Sequence, residues 1–193
     1  MKSQTKIYLA SKSPTRLRIL KEAGFNPIVV ESSYDEPEIP GLSANELAKR
    51  HAFCKTKEIV VPHKSGVVVG CDTISVSNGV IFGKPENKAH AKKMLKRHSG
   101  NIIEVITGLS VRNLETDQVF TCTNTSLVKF ANISEAEIQW YLNSGEWEGK
   151  SGAFSISGIG SRFVKSIRGD HMAIQGLPLS TLHRCLVKWG CAI

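Results

Sequence analysis

The segment Leu9 to Leu20, LASKSPTRLRIL, joins an apolar run, a polar turn and a proline where a helix would begin. Ser13 stands at the N-cap position and Pro14 at the first helical position, where a missing N–H costs nothing. A helix start presents unpaired backbone N–H groups and a partial positive charge, which suits a phosphate. Lys12, Arg16 and Arg18 add cationic donors, and arginine can grip two phosphate oxygens at once. The plainer alternative is a capped helix with a basic face. Asp72 follows Val67-Val68-Val69, which reads as a buried strand over 66–70. That reading puts the carboxylate just past the strand's carboxyl end, where open α/β folds bind ligands. A turn aspartate is the ordinary use of such a position. Glu31, Asp35, Glu36 and Glu38 form an acidic loop in a basic protein. Magnesium takes one or two carboxylates together with phosphates and waters, although a solvated loop is the commoner arrangement. Gly83-Lys84-Pro85 offers a lysine in a stiffened loop as a point charge for a phosphate.

Other chemistries lack their patterns. His51, His63, His90, His98, His171 and His183 have neither H-x₃-H nor HExxH spacing. No G-x-S-x-G elbow is present. Gly158-Ile159-Gly160 lacks the third glycine and the following helix of a dinucleotide fingerprint. Trp140, Trp147 and Trp189 are scattered, as packing residues are. The five cysteines are odd in number and contain no CxxC pair, which argues against a disulfide scaffold or a structural zinc. A reducing cytoplasm is the expected location; no signal-peptide pattern opens the chain. No apolar run is long enough for a membrane span. The net charge of +8 favours anionic partners, but no run of five like charges makes a nucleic-acid-coating tail.

The elements that must position these residues follow from periodicity and punctuation. The 193 residues make one domain, or two small lobes sharing a cleft. Strands are expected at 7–10, 27–31, 66–70, 102–112, 119–130 and 163–167. A hairpin is expected at 74–82 around Asn78-Gly79. Helices are expected from Pro14 to Gly24, from the capping box Ser43 to Glu46 onward to about Ile59, and from Asn87 to near Gly100. Two more are expected, from the capping box Ser134 to Glu137 as far as Leu142, and from Leu179 to about Trp189. Alternating strands and helices with inserted hairpins indicate an α/β fold with a mixed sheet.

Five segments together resemble the Maf family, the septum-formation-inhibitor-like nucleotide pyrophosphatases. They are LASKSPTRLRIL, the acidic YDE ending in Glu36, GCDT around Asp72, GKP at Lys84 with the helix to SGN at Ser99, and GLPL at Gly176. The resemblance runs from Tyr8 to about Leu182, and implies a single Maf-like domain over 1–193. It implies an α/β fold like that of the inosine triphosphate pyrophosphatases: an elongated mixed sheet flanked by helices, two lobes and a central cleft. It implies hydrolysis of a nucleoside triphosphate to monophosphate and pyrophosphate with a divalent cation, magnesium or manganese. Asp72 is then the expected general base or metal-organising carboxylate and Glu36 its metal partner. Lys12, Ser13, Arg16, His51 and Lys84 are the expected substrate contacts. A homodimer is usual in the family.

Three positions depart from the family pattern. Thr15 stands where the thymidine and uridine triphosphate branch has the first of paired arginines, and Ser157 where that branch has glutamine. His51 replaces the usual lysine of the second helix, with Lys49 and Lys55 nearby as substitutes. Thr15, Ser157, and the segments 99–102 and 107–109 look like the 7-methyl-GTP branch. Two other functions compete with the enzyme: a nucleotide-sensing regulatory protein with little turnover, and a nucleic-acid-binding protein. The second would need a continuous basic stripe or an aromatic platform.

Overall fold

The computed structural model describes residues 5–62 and 65–191; His63 lies outside them. The chain runs β1 (Ile7–Ala10), α1 (Pro14–Glu22), β2 (Ile28–Val30), α2 (Ala44–Lys57), β3 (Val67–Ser77), β4 (Val80–Phe82) and α3 (Lys88–His98). It continues through β5 (Ile102–Asn113), β6 (Val119–Phe130), α4 (Glu135–Asn143), β7 (Val164–Arg168), α5 (His171–Ile174) and α6 (Leu179–Lys188). Short 3₁₀ turns occupy Ser151–Ala153 and Ile159–Phe163.

The seven strands form one mixed sheet in the order β2-β1-β3-β5-β6-β7, with β4 paired to β3. β1 pairs in parallel with both β2 and β3. Each of those parallel pairs needs a crossover, which α1 and α2 supply. The β3–β4 hairpin turns at Asn78 and Gly79, with φ of 48° and 75°. Asn-Gly suits that turn because both residues tolerate positive φ. β6 and β7 are antiparallel. Both expected capping boxes form, with Ser43 and Ser134 each accepting from the N3 backbone and receiving the N3 glutamate.

One expectation is corrected. The run at 66–70 does not end before Asp72: β3 continues through Ser77, so Asp72 lies in mid-strand. Glycine and aspartate disfavour strands, but nearly every β3 residue is buried, and packing overrides their propensity. Residues 171–174 form the short helix α5, capped by Asp170 Oδ1 on the N–H groups of Met172 and Ala173.

The chain forms two compact units. One holds Met1–Asp72, Thr107–Asn124 and Gly176–Ile193, and the other Thr73–Ile106 and Thr125–Gln175. The first has its own core, in which Leu9, Leu20, Val69, Leu109, Leu177 and Leu182 are sealed from water. The second is built around an aromatic cluster. Its centre is His98, fully buried at the end of α3 with Phe82, Phe130 and Phe154 rings 5.4, 5.4 and 6.0 Å away. His98 Nε2 donates to the Gly152 carbonyl at 2.7 Å. The end of a helix favours an imidazolium by about 0.3–2 kcal/mol, but burial dominates and pushes the His98 pKa down to about 4.

The folded ring therefore binds its proton less readily than the unfolded one. Its contribution to stability is complete above the unfolded value of 6.5 and is lost as pH falls toward 4. Relative to neutral pH, that loss amounts to about 3 kcal/mol at pH 4. Urea unfolding of the wild type and of His98→Gln at pH 7.5 and 4.5 should show this component in the wild type only. An identical pH slope in both proteins would contradict the assignment.

Candidate active site

The site in the first unit depends on how closely α2 approaches the sheet. A Cβ built on Gly70 of β3 would meet the Ala52 carbonyl oxygen at 2.7 Å and Thr56 Cγ2 at 2.8 Å. Gly108 of β5 lies closer still under the Ala48 carbonyl. The Thr56 and Ser110 hydroxyls, 2.9 Å apart, tie the same helix to β5. The buried stripe of α2 is Leu47, Ala48, His51, Ala52, Lys55 and Thr56, the i, i+3, i+4 spacing of an inward face. Two ionisable residues, His51 and Lys55, thus point into the protein one turn apart.

Lys55 reaches the middle of β3. Its ammonium donates to Asp72 Oδ1 at 2.8 Å, to the Cys71 carbonyl at 3.2 Å, and pairs with Glu36 Oε1 at 2.6 Å. An ammonium has three protons, and these three acceptors account for them. The side chains of Lys55 and Asp72 are 7% and 10% exposed, and that of Glu36 37%. Glu36 adopts a left-handed backbone, φ 56°. For a residue other than glycine this costs of order 1–3 kcal/mol, a strain that surrounding contacts must hold. The Lys55 ion pair is the contact on this side chain.

His51, also buried, shares a hydrogen bond of 2.9 Å between Nδ1 and the Tyr34 hydroxyl. Burial lowers its pKa and outweighs the opposing pull of Asp72. His51 therefore takes up a proton less readily than a free imidazole. Tyr34 is pushed up to about 12, chiefly by burial, and keeps its proton. Of the two lysines flanking His51, Lys49 is exposed and Lys55 is the one directed at the carboxylates. Tyr34 opens the YDE segment, but nothing in the sequence signals its contact with His51. Lys55 does carry a signal, four residues past His51 on the same helical face.

The turn before α1 forms as its residues require. Ser13 Oγ accepts the Arg16 N–H at 3.4 Å. The Arg16 side chain folds across the turn, with Nε donating to the Gly176 carbonyl at 2.9 Å and Nη1 to Ser11 Oγ at 3.1 Å. Arg16 thus joins LASKSPTRLRIL to the GLPL segment, 160 residues later. Lys12 pairs with Glu31 at 3.2 Å in an exposed contact that contributes little. β1 and β3 are in register at Leu9 and Val69, so the end of β1 leads toward the level of Asp72. Arg16, Lys55 and Asp72 all act electrostatically on the Cys71 thiol, which burial pushes up to about 11.

Lys12, Ser13, Arg16, Glu36, His51 and Asp72 all belong to the first unit, whereas Lys84 belongs to the second, exposed in the loop after β4. Ser157 also lies in the second unit, with its Oγ 3.4 Å from Ser155 Oγ. The acidic loop does not act as one cluster, since Glu31 faces Lys12 and Glu36 faces Lys55. Among the described residues, no group of three or more His, Cys, Asp or Glu side chains is placed to hold a metal ion. Glu36 and Asp72 do converge on one cation position, and a carboxylate pair completed by phosphate and water suits magnesium.

The fold and site define a mixed-sheet α/β protein with a basic, serine-capped turn and a largely buried carboxylate–lysine cluster. The model of the family described as Maf-like protein matches residues 6–189, and the chain belongs to that family. It is 39% identical over 188 residues to a dTTP/UTP pyrophosphatase of Methanosarcina barkeri, covering 97% of this chain and 95% of that one. It is 39% identical to a dTTP/UTP pyrophosphatase of Clostridioides difficile, covering 95% and 94%. A nucleoside triphosphate pyrophosphatase of Nostoc punctiforme is 36% identical, with 94% and 92% covered.

Gly70→Ala should force α2 off β3, because the blocking atoms include a backbone carbonyl. Overpacking of this kind costs about 1–3 kcal/mol. Denaturant midpoints of wild type and variant, compared at equal slope, measure it; an unchanged midpoint would contradict the close approach.

Proposed function

We propose that the chain is a nucleoside triphosphate pyrophosphatase that releases a monophosphate and pyrophosphate, using a divalent cation held by Glu36 and Asp72. One observation carries this reading: two carboxylates converge on a single cation position, in the same unit as a capped basic turn suited to phosphate. The names of the relatives support the reaction class.

The chemistry follows from charge. Attack at the α phosphate of a triphosphate builds charge on the transferred group and on the departing pyrophosphate, so positioning and electrostatic stabilisation dominate. The cation, when bound, neutralises phosphate charge and makes water more acidic. Asp72 takes the proton from the attacking water. Its partner Lys55, 2.8 Å from Oδ1, holds the carboxylate in place. The N–H groups that open α1, with Lys12 and Arg16, bind phosphate oxygens. Glu31 holds Lys12 only in an exposed pair, so an anion can draw Lys12 away. His51, whose burial disfavours its charged form, contributes hydrogen bonding in this reading. Lys84 enters this reading through the family resemblance alone.

Two observations favour different bases. The relatives named dTTP/UTP pyrophosphatases favour a pyrimidine triphosphate. Thr15 and Ser157 favour 7-methyl-GTP, because they replace residues of the thymidine and uridine branch. Purified protein with magnesium or manganese, offered dTTP, UTP, the purine triphosphates and 7-methyl-GTP, should release pyrophosphate and no orthophosphate from one or a few of them. A general base contributes about 10²–10⁴-fold, so Asp72→Asn should lose at least about a hundredfold in kcat. Nucleotide binding without pyrophosphate release from any substrate would favour a regulatory protein instead. Steeply salt-dependent RNA or DNA binding would favour a nucleic-acid-binding one.

A further inference from the structure

We infer that Lys55 is a resident counter-cation of the Glu36–Asp72 pair, and that a divalent cation binds that pair only by displacing the Lys55 ammonium. The inference rests on the reading of Glu36 and Asp72 as the cation-holding carboxylates. It adds a positioning residue on α2 that sets how tightly, and when, the cation binds.

The geometry leaves one position for two cations. Lys55 Nζ lies 2.6 Å from Glu36 Oε1 and 2.8 Å from Asp72 Oδ1. Magnesium binds carboxylate oxygens at about 2.0–2.1 Å, so an ion bridging the same oxygens would coincide with that nitrogen or nearly so. Two positive charges so close in a largely buried site repel strongly. The ammonium is also well satisfied, because the Cys71 carbonyl takes its third proton at 3.2 Å. Displacing it breaks a complete set of hydrogen bonds, which weakens the cation site in the absence of substrate. A substrate phosphate supplies the missing compensation: it adds oxygen ligands for the ion and accepts the released ammonium, which sits on a flexible four-carbon stem. The carboxylates thus stay neutralised and oriented before substrate arrives, and the ion is recruited with the nucleotide. His51, the other inward ionisable residue of α2, has its Nδ1 engaged with the Tyr34 hydroxyl instead.

Mn²⁺ binding to the nucleotide-free protein tests the inference without reference to turnover. Removing one partner of a buried ion set leaves uncompensated charge, so Lys55→Met leaves two carboxylates open to another cation. Electron paramagnetic resonance titration of free Mn²⁺ should show Lys55→Met binding at least tenfold tighter than wild type. The Lys55→Met/Asp72→Asn double variant should lose that gain, and Lys57→Met, an exposed lysine on the same helix, should match wild type. Should Lys55→Met fold poorly in EDTA, Mn²⁺ should raise its Tm by more than it raises that of wild type. Lys55→Gln, which keeps hydrogen-bond donors without the charge, supplies the same comparison. Mn²⁺ affinity in both Lys55 variants within tenfold of wild type, or weaker, overturns the inference; so does a gain that persists without Asp72. Pyrophosphate release by wild type and its loss in Asp72→Asn decide the underlying reading separately.

Discussion

The Lys55 ammonium between Glu36 and Asp72 is the interaction on which the site depends. It neutralises two carboxylates in a place poor in water, and it holds Glu36 in a left-handed conformation that no local preference would select. A largely buried carboxylate pair without a cation would be expensive, because like charges at close range cannot both stay ionised at low dielectric. Everything else in the first unit brings this lysine to β3. The capping box at Ser43 starts α2, its apolar stripe seats it on the sheet, and two glycines remove the side chains that would hold it away.

This explains why Gly70 and Gly108 stand in the interiors of strands, where glycine is a poor choice. Helix and sheet approach so closely that any Cβ there would strike the helix backbone. The gain is reach: the lysine side chain leaving α2 meets Asp72 in the middle of β3. The same closeness excludes water and so strengthens the ion pair, which couples the packing of the helix to the electrostatics of the site.

The second unit is organised by packing in place of charge. His98 is buried among three phenylalanine rings and neutral, and its bond to Gly152 anchors the glycine-rich segment to α3. Both units therefore place a histidine inside, and in both the cost of desolvation disfavours its charged form. The cationic work in the first unit consequently falls to lysine and arginine. Arg16 spends part of its guanidinium on the Gly176 carbonyl, linking the first and last of the recognisable segments.

Much of this was legible in the amino-acid sequence, because it is local. Ser13 before Pro14, the two capping boxes and the Asn78-Gly79 turn are set by bonds within a few residues, and each formed where its pattern lay. The α/β class followed from alternating periodicities, and the family from ordered segments spread along the chain. What the sequence could not decide was long-range. Asp72 read as the residue after a strand, since Gly70 and Asp72 look like a break; burial on both faces carried the strand through them. His51 read as a substrate contact in place of a lysine; burial in the fold disfavours its charged form. The choice of Lys55 over Lys49 turned on which helical face meets the sheet, and the pairing of Glu36 with it on where an acidic loop comes to rest. Propensity and spacing act over one or two turns of chain, whereas desolvation and ion pairing depend on which distant segments exclude water together, and only the tertiary structure decides that.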